Sequence, residues 1–201
     1  MASREGVSLY TEFGAVVDEF DLVGVDMPIG MPPPHPRLAE IEARRYLSPR
    51  GSTIFPTPAR ACLEAENYAS ACEMSLGAVG KRISKQAWNI LPKIREVDRV
   101  TSVQAEHFVV EVHPECSFVA LSGGRPLSSK HTAFGRRQRE TLLEPIFGSI
   151  PKPPRGAQSD DVLDAFAALW SVERFANNTH RTFPATQTQR DQRGLAMRIV
   201  T

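Results

Sequence analysis

Leu22-Val23-Gly24-Val25-Asp26-Met27-Pro28-Ile29-Gly30 is an apolar run of strand length that stops at a carboxylate. The run is too short for a helix, and Pro28 with Gly30 ends it, so it reads as a strand covered on both faces. Such a strand delivers Asp26 to its own tip. Ligands of open α/β sheets bind outside the carboxyl ends of the strands, which makes Asp26 a candidate site residue. On shape alone, Asp26 serves equally well as the turn residue before Pro28.

Upstream, Gly6 to Tyr10 reads as a short strand. Thr11 to Phe20 spaces Phe13, Val16, Val17 and Phe20 at helical intervals, giving a strand, helix, strand beginning. Downstream, Pro28, Pro32, Pro33, Pro34, Pro36, Pro49, Pro56 and Pro58 make up eight of the 16 prolines and mark a structured loop. A helix from Arg37 to Leu47 interrupts it. Ser48-Pro49-Arg50-Gly51-Ser52-Thr53 is rich in turn formers and hydroxyls and is either a plain loop or a phosphate cradle.

Pro58 to Ser75 and Lys85 to Val100 read as helices, the second restarted or kinked at Pro92. His107 to Glu115 alternates as a second strand, with Phe108, Val110 and Val112 on one side and Val109, Glu111 and His113 on the other. Glu111 on this strand and Glu115 at its end are the next candidate acids. Arg125 to Arg139 holds Arg125, Lys130, Arg136, Arg137 and Arg139 with no Asp or Glu, either a solvated face or a nucleic-acid contact. A helix follows from Thr132 to Phe147. The last strong helix opens at Ser159, read as its N-cap, and carries Asp161 and Asp164 three apart on one face. Acids of a first turn are welcome on dipole grounds, whereas Asp164 lies deeper in an apolar helix and needs a positive partner. Gly194 to Val200 reads as a closing strand.

The 201 residues suit a single domain, 1–201, with one sizeable core. Hydrophobic residues at 41% and charged residues at 23% fit a soluble globular protein, and the lack of a long apolar run points away from membranes and toward the cytoplasm. Cys62, Cys72 and Cys116 are odd in number and outside any Cys-x-x-Cys pair, which argues against a disulfide framework or a zinc knuckle. A net charge of +1 neither requires nor excludes a nucleic-acid partner.

Asp26 at a strand tip, a Glu on a second strand and the Asp161/Asp164 pair are hard oxygen ligands of the kind that hold Mg²⁺ or Mn²⁺. Clustered carboxylates repel, so keeping them ionised requires a metal, basic partners or a proton. Two bridged metals stabilise the attacking and leaving oxygens of phosphodiester hydrolysis.

Asp26-Met-Pro-Ile-Gly, Ser48-Pro-Arg-Gly-Ser-Thr-Ile-Phe-Pro, Gln86-Ala-Trp with Ile94-Arg-Glu-Val-Asp98, Glu111-Val-His-Pro-Glu115, Lys130-His-Thr-Ala-Phe-Gly-Arg136 and Asp160-Asp-Val-Leu-Asp164-Ala resemble, in order and spacing, the family of domain of unknown function 429. The resemblance covers nearly the whole chain from Gly6. It implies an RNase H-like α/β fold, a mixed sheet flanked by helices, and a nuclease activity. Asp161 and Asp164 look like the late-helix acids of RuvC-type resolvases. Family members begin with a strand carrying Gly-x-Asp; no such motif precedes Gly6, so the fold is expected in an N-terminally shortened form.

The reading is therefore a Mg²⁺- or Mn²⁺-dependent nuclease or phosphodiesterase acting on nucleic acid. Asp26, Asp161 and Asp164 are its metal ligands, Glu111 or Glu115 completes the catalytic set, and Arg50, Lys130, Arg136 and Arg137 bind phosphate. The alternative is a non-catalytic nucleic-acid-binding or interaction protein that keeps the fold without a complete metal site. A small-molecule phosphotransferase lacks its Gly-rich phosphate loop here.

Overall fold

The computed structural model describes residues 1–32 and 36–201, so Pro33, Pro34 and His35 of the proline-rich loop lie outside the described residues. An N-terminal hairpin pairs β1 (Ala2–Ser3) with β2 (Gly6–Val7), and α1 (Phe13–Glu19) leads into β3 (Val23–Val25). Helices α2 (Leu38–Tyr46), α3 (Tyr68–Val79) and α4 (Lys85–Val100) follow. Then come β4 (Val109–Glu111), α5 (Pro114–Leu121), α6 (Ala133–Phe147) and α7 (Ser159–Ala176). The chain closes with β5 (Thr182–Phe183), β6 (Gln189–Arg190), β7 (Ala196–Met197) and β8 (Ile199–Val200). It is a mixed α/β structure with small sheets, and none of its described helices is long and apolar enough to cross a membrane.

β3 and β4 pair in parallel, with Val23 opposite Val109 and Val25 opposite Glu111. A parallel bridge from Val112 to Val200 sets β8 beside β4, and β8 pairs antiparallel with β5. Both faces of β4 are covered, as its alternation requires: Val110 and Val112 pack against Ala168 and Val172 of α7, while Val109 packs with Val97 of α4 and Ile29. A larger cluster joins α5, α6 and α7 through Phe118, Leu143, Leu163 and Phe166. All three cysteines are free and buried.

Four local expectations are corrected. The helix expected over Pro58 to Ser75 is a short 3₁₀ turn, Arg60–Glu64, followed by a break and then α3. The break falls where Asn67 caps α3, its side chain accepting the Ser70 N–H while Ser70 reciprocates. Helix α4 is continuous through Pro92 and is not restarted there. Glu115 is not a strand-end residue, because Pro114 occupies the first turn of a helix, where its missing N–H is no loss and its φ is already helical. Gln158 caps α7 in place of Ser159, in a capping box with Asp161.

Gly24 lets α7 approach the sheet. A Cβ there would collide with Val172 Cγ2 and sit 3.3 Å from Val112 Cγ1. Gly24→Ala should therefore destabilise the fold by about 1–3 kcal/mol through overpacking, measured as a lower urea midpoint at unchanged slope.

Candidate active site

β3 and β4 end side by side over a cleft of about 390 Å³ whose lining includes Asp26, Arg50, Glu111, His113, Glu115 and Lys130. Two of its acids are held by buried guanidinium groups. Glu111, the last residue of β4, accepts from Arg37 Nη1 at 3.0 Å, from Arg37 Nη2 and from the Ile29 N–H at 2.7 Å. Burial, the largest influence, raises the Glu111 carboxyl above the usual carboxylate range, and the Arg37 guanidinium and the Ile29 N–H oppose that rise. Glu115, in the first turn of α5, accepts from Arg139 Nη2 at 2.7 and 2.8 Å, and Arg139 is fully buried.

The remaining acids face a lysine. Lys130 Nζ lies 2.5 Å from Asp164 Oδ2, and although burial opposes its charge, Asp164, Glu115 and Asp26 together hold its pKa above 10.5. Burial lifts Asp164 from 3.8 to about 6, with Lys130 opposing and with Asp26 and Glu115 reinforcing. Asp26, one residue beyond β3, is lifted to about 6 by the same three influences: desolvation first, then Lys130 in opposition and Glu115 in support. Its side chain is nevertheless open to water, so its desolvation is that of a recess and not of a dry core. Burial also lowers the pKa of His113, whose Nδ1 is buried without a partner; Glu115 and Asp164 oppose that shift.

The family described as protein of unknown function (DUF429) matches residues 3–189 of this chain. The chain belongs to that family. No curated protein and no solved structure matches it.

Within this member of the family, Asp26, Glu115 and Asp164 share one electrostatic neighbourhood, and the other candidates are committed elsewhere. Glu111 belongs to the Arg37 pair, and Asp161 accepts the Gln158 N–H at 2.8 Å as a helix cap. Arg50 lines the cleft and donates to Leu127 O at 2.8 Å. Arg136 reaches the Lys130 carbonyl at 3.5 Å, and Arg137 is exposed and paired with Glu140 and Glu144.

Among the described residues, no group of three or more His, Cys, Asp or Glu side chains is arranged to hold a metal. Two carboxylates do fit a hard cation: Asp164 Oδ1 is buried without a partner, and the Asp26 carboxylate accepts no hydrogen bond from a described residue. Mg²⁺ is commonly held by one or two carboxylates, with water and substrate phosphate completing its shell.

Arg37 was not singled out in the sequence, and Arg139 was read there only as part of the basic stretch from Arg125 to Arg139. Arg139 carried a signal, since it lies four residues from both Gly135 and Leu143 on the buried stripe of α6.

Removing one partner of the deepest pair should be costly. Arg37→Met leaves Glu111 buried and uncompensated, and chemical denaturation should register a loss of about 3–5 kcal/mol.

The raised acids predict a pH dependence. A carboxyl lifted from 3.8 to about 6 binds more protons in the folded state between those values, so it favours folding at the acid end, and that benefit is lost as pH rises toward 6. The stability of Asp164→Asn relative to the parent protein should therefore improve as pH rises from about 4 to about 6 and then level off, read from paired urea titrations.

Proposed function

We propose that the chain is a divalent-metal-dependent nuclease or phosphodiesterase on an RNase H-like fold, acting on nucleic acid with Asp26 and Asp164 as its metal ligands. The observation that carries this is the gathering of Asp26, Glu115 and Asp164 around one positive charge at the carboxyl ends of two parallel strands. The mixed α/β order and the family resemblance of the motifs support the fold.

Each residue then has a chemical task. Asp26 and Asp164 present oxygens with no other partner among the described residues, and above about pH 6 both are ionised. Mg²⁺ or Mn²⁺ bound there would polarise a phosphoryl oxygen and acidify a water. Lys130 holds the acids together in the absence of the cation and, lining the same cleft as Arg50, offers a charge to substrate phosphate. Glu115, locked on Arg139, acts through its field.

One observation favours the non-catalytic alternative: Glu111, Glu115 and Asp161 are all satisfied by protein partners, which leaves two acids free for a metal. Thermal melts separate the two readings. Excess Mn²⁺ at about a hundredfold over its Kd should stabilise the parent by about 2.7 kcal/mol, several degrees in Tm, and Asp164→Asn should abolish that shift. Without metal the same substitution should cost about 1 kcal/mol or less, because the Lys130 pair is partly exposed. A parent melt indifferent to Mn²⁺ and Mg²⁺ would leave the non-catalytic reading standing alone.

A further inference from the structure

Two stretches of the sequence meet at the cleft without a task in metal or phosphate binding. Phe55, which ends the loop after Ser48, and Gln86, in the first turn of α4, both line it, together with Met27 and Ile90. Met27, Phe55 and Ile90 are half-buried and pack on one cluster, built on Leu91 and Ile94 of α4. They give the cleft an apolar wall that begins one residue from Asp26. The exposed faces of that wall are uncommitted: among the described residues the Phe55 ring meets no other ring and no cation, and the exposed Gln86 carboxamide has no hydrogen-bond partner. The cations of the cleft, Lys130 and Arg50, come from other segments of the chain.

We propose that this wall is a base-binding subsite and that the nucleic acid of the proposed reaction, on which this inference rests, is single-stranded. One unstacked base lies against Phe55 and Met27, and Gln86 reads its edge. A duplex hides its base faces against one another and offers phosphates and groove edges, so a phenyl ring set in a recess would meet nothing on it. A single strand offers a π-face at every nucleotide, and stacking on an aromatic side chain is a sequence-tolerant source of affinity. The cleft, at about 390 Å³, has the size of a site for one small ligand, which suits a single nucleotide unit and excludes a double helix. The Gln86 carboxamide presents one donor and one acceptor side by side, the complement of the N6–H and N7 of adenine. Base and phosphate then have separate seats: the base on the apolar wall, the phosphate toward Lys130 and Arg50.

The test is a fluorescence-anisotropy titration of the full chain with labelled deoxyadenosine and thymidine strands of about ten nucleotides, alone and annealed as a duplex. Binding is read without metal, so that nothing is cut, and the Mn²⁺ melt of each variant reports separately on the metal reading. The adenine strand should bind about tenfold or more tighter than the duplex, and tighter than the thymine strand. Phe55→Leu, which keeps apolar bulk in the wall, should weaken single-strand binding about tenfold and leave duplex binding unchanged, while Phe55→Tyr should retain the parent affinity. Gln86→Ala, at an exposed position, should remove the preference for adenine over thymine with the melt unchanged. A strand bound no better than the duplex, or Phe55→Leu and Gln86→Ala binding like the parent, would overturn the subsite; an intact Mn²⁺ shift beside that result would leave the metal reading standing. A single-strand preference lost in Phe55→Leu but accompanied by no Mn²⁺ shift would support the subsite and sink the metal reading. Deoxyadenosine monophosphate binding as tightly as the adenine strand would overturn the strand as ligand and assign the subsite to a free nucleotide.

Discussion

The ion pair of Arg37 with Glu111 is the constraint on which the cleft depends. A carboxylate at the buried end of β4 is tolerated only with its charge matched, and Arg37 does this at 1% exposure. The same guanidinium donates to the Ile29 carbonyl and to Thr57, and Glu111 accepts the Ile29 N–H. The turn after β3 is thereby fixed to the end of β4, and Asp26, at the start of that turn, is held at the mouth of the cleft. Arg139 does the equivalent on the other side. It clamps Glu115 and also donates to the Ser128 carbonyl, fixing the loop from which Lys130 reaches Asp164.

With those two pairs closed, the remaining imbalance is confined to Asp26 and Asp164 facing Lys130. The identity of the cation matters. An arginine would take Asp164 with a rigid, two-pronged fork, as Arg37 takes Glu111 through both Nη1 and Nη2; a lysine is a single mobile charge on a flexible stem. The site therefore combines two acids that are held by guanidinium groups with two, Asp26 and Asp164, whose neutralisation by Lys130 is loose, and only the loose pair is available for exchange with another cation.

The two parallel strands and most helices were legible because their signals are local, whereas the two-residue strands β1, β5 and β6 and helix α5 were not read. The Leu22 run, the alternation of Val109 to Val112 and the capped apolar stripe of α7 each needed one periodicity and one stop. What escaped depended on contacts far apart in sequence or on competition between neighbouring signals. Asn67 outcompetes Pro58 as a helix start because its side chain satisfies an N–H that Pro58 cannot, and the strand read from His107 to Glu115 overran Pro114, which opens α5. In the site, Asp26 and Asp164 stood out by position, yet nothing in the sequence assigns Lys130 to Asp164, 34 residues away, or Arg37 to Glu111, 74 residues away. The acid-free stretch read as one basic surface is divided in the fold among a buried clamp, Arg139, a cleft cation, Lys130, and an exposed ion-paired residue, Arg137.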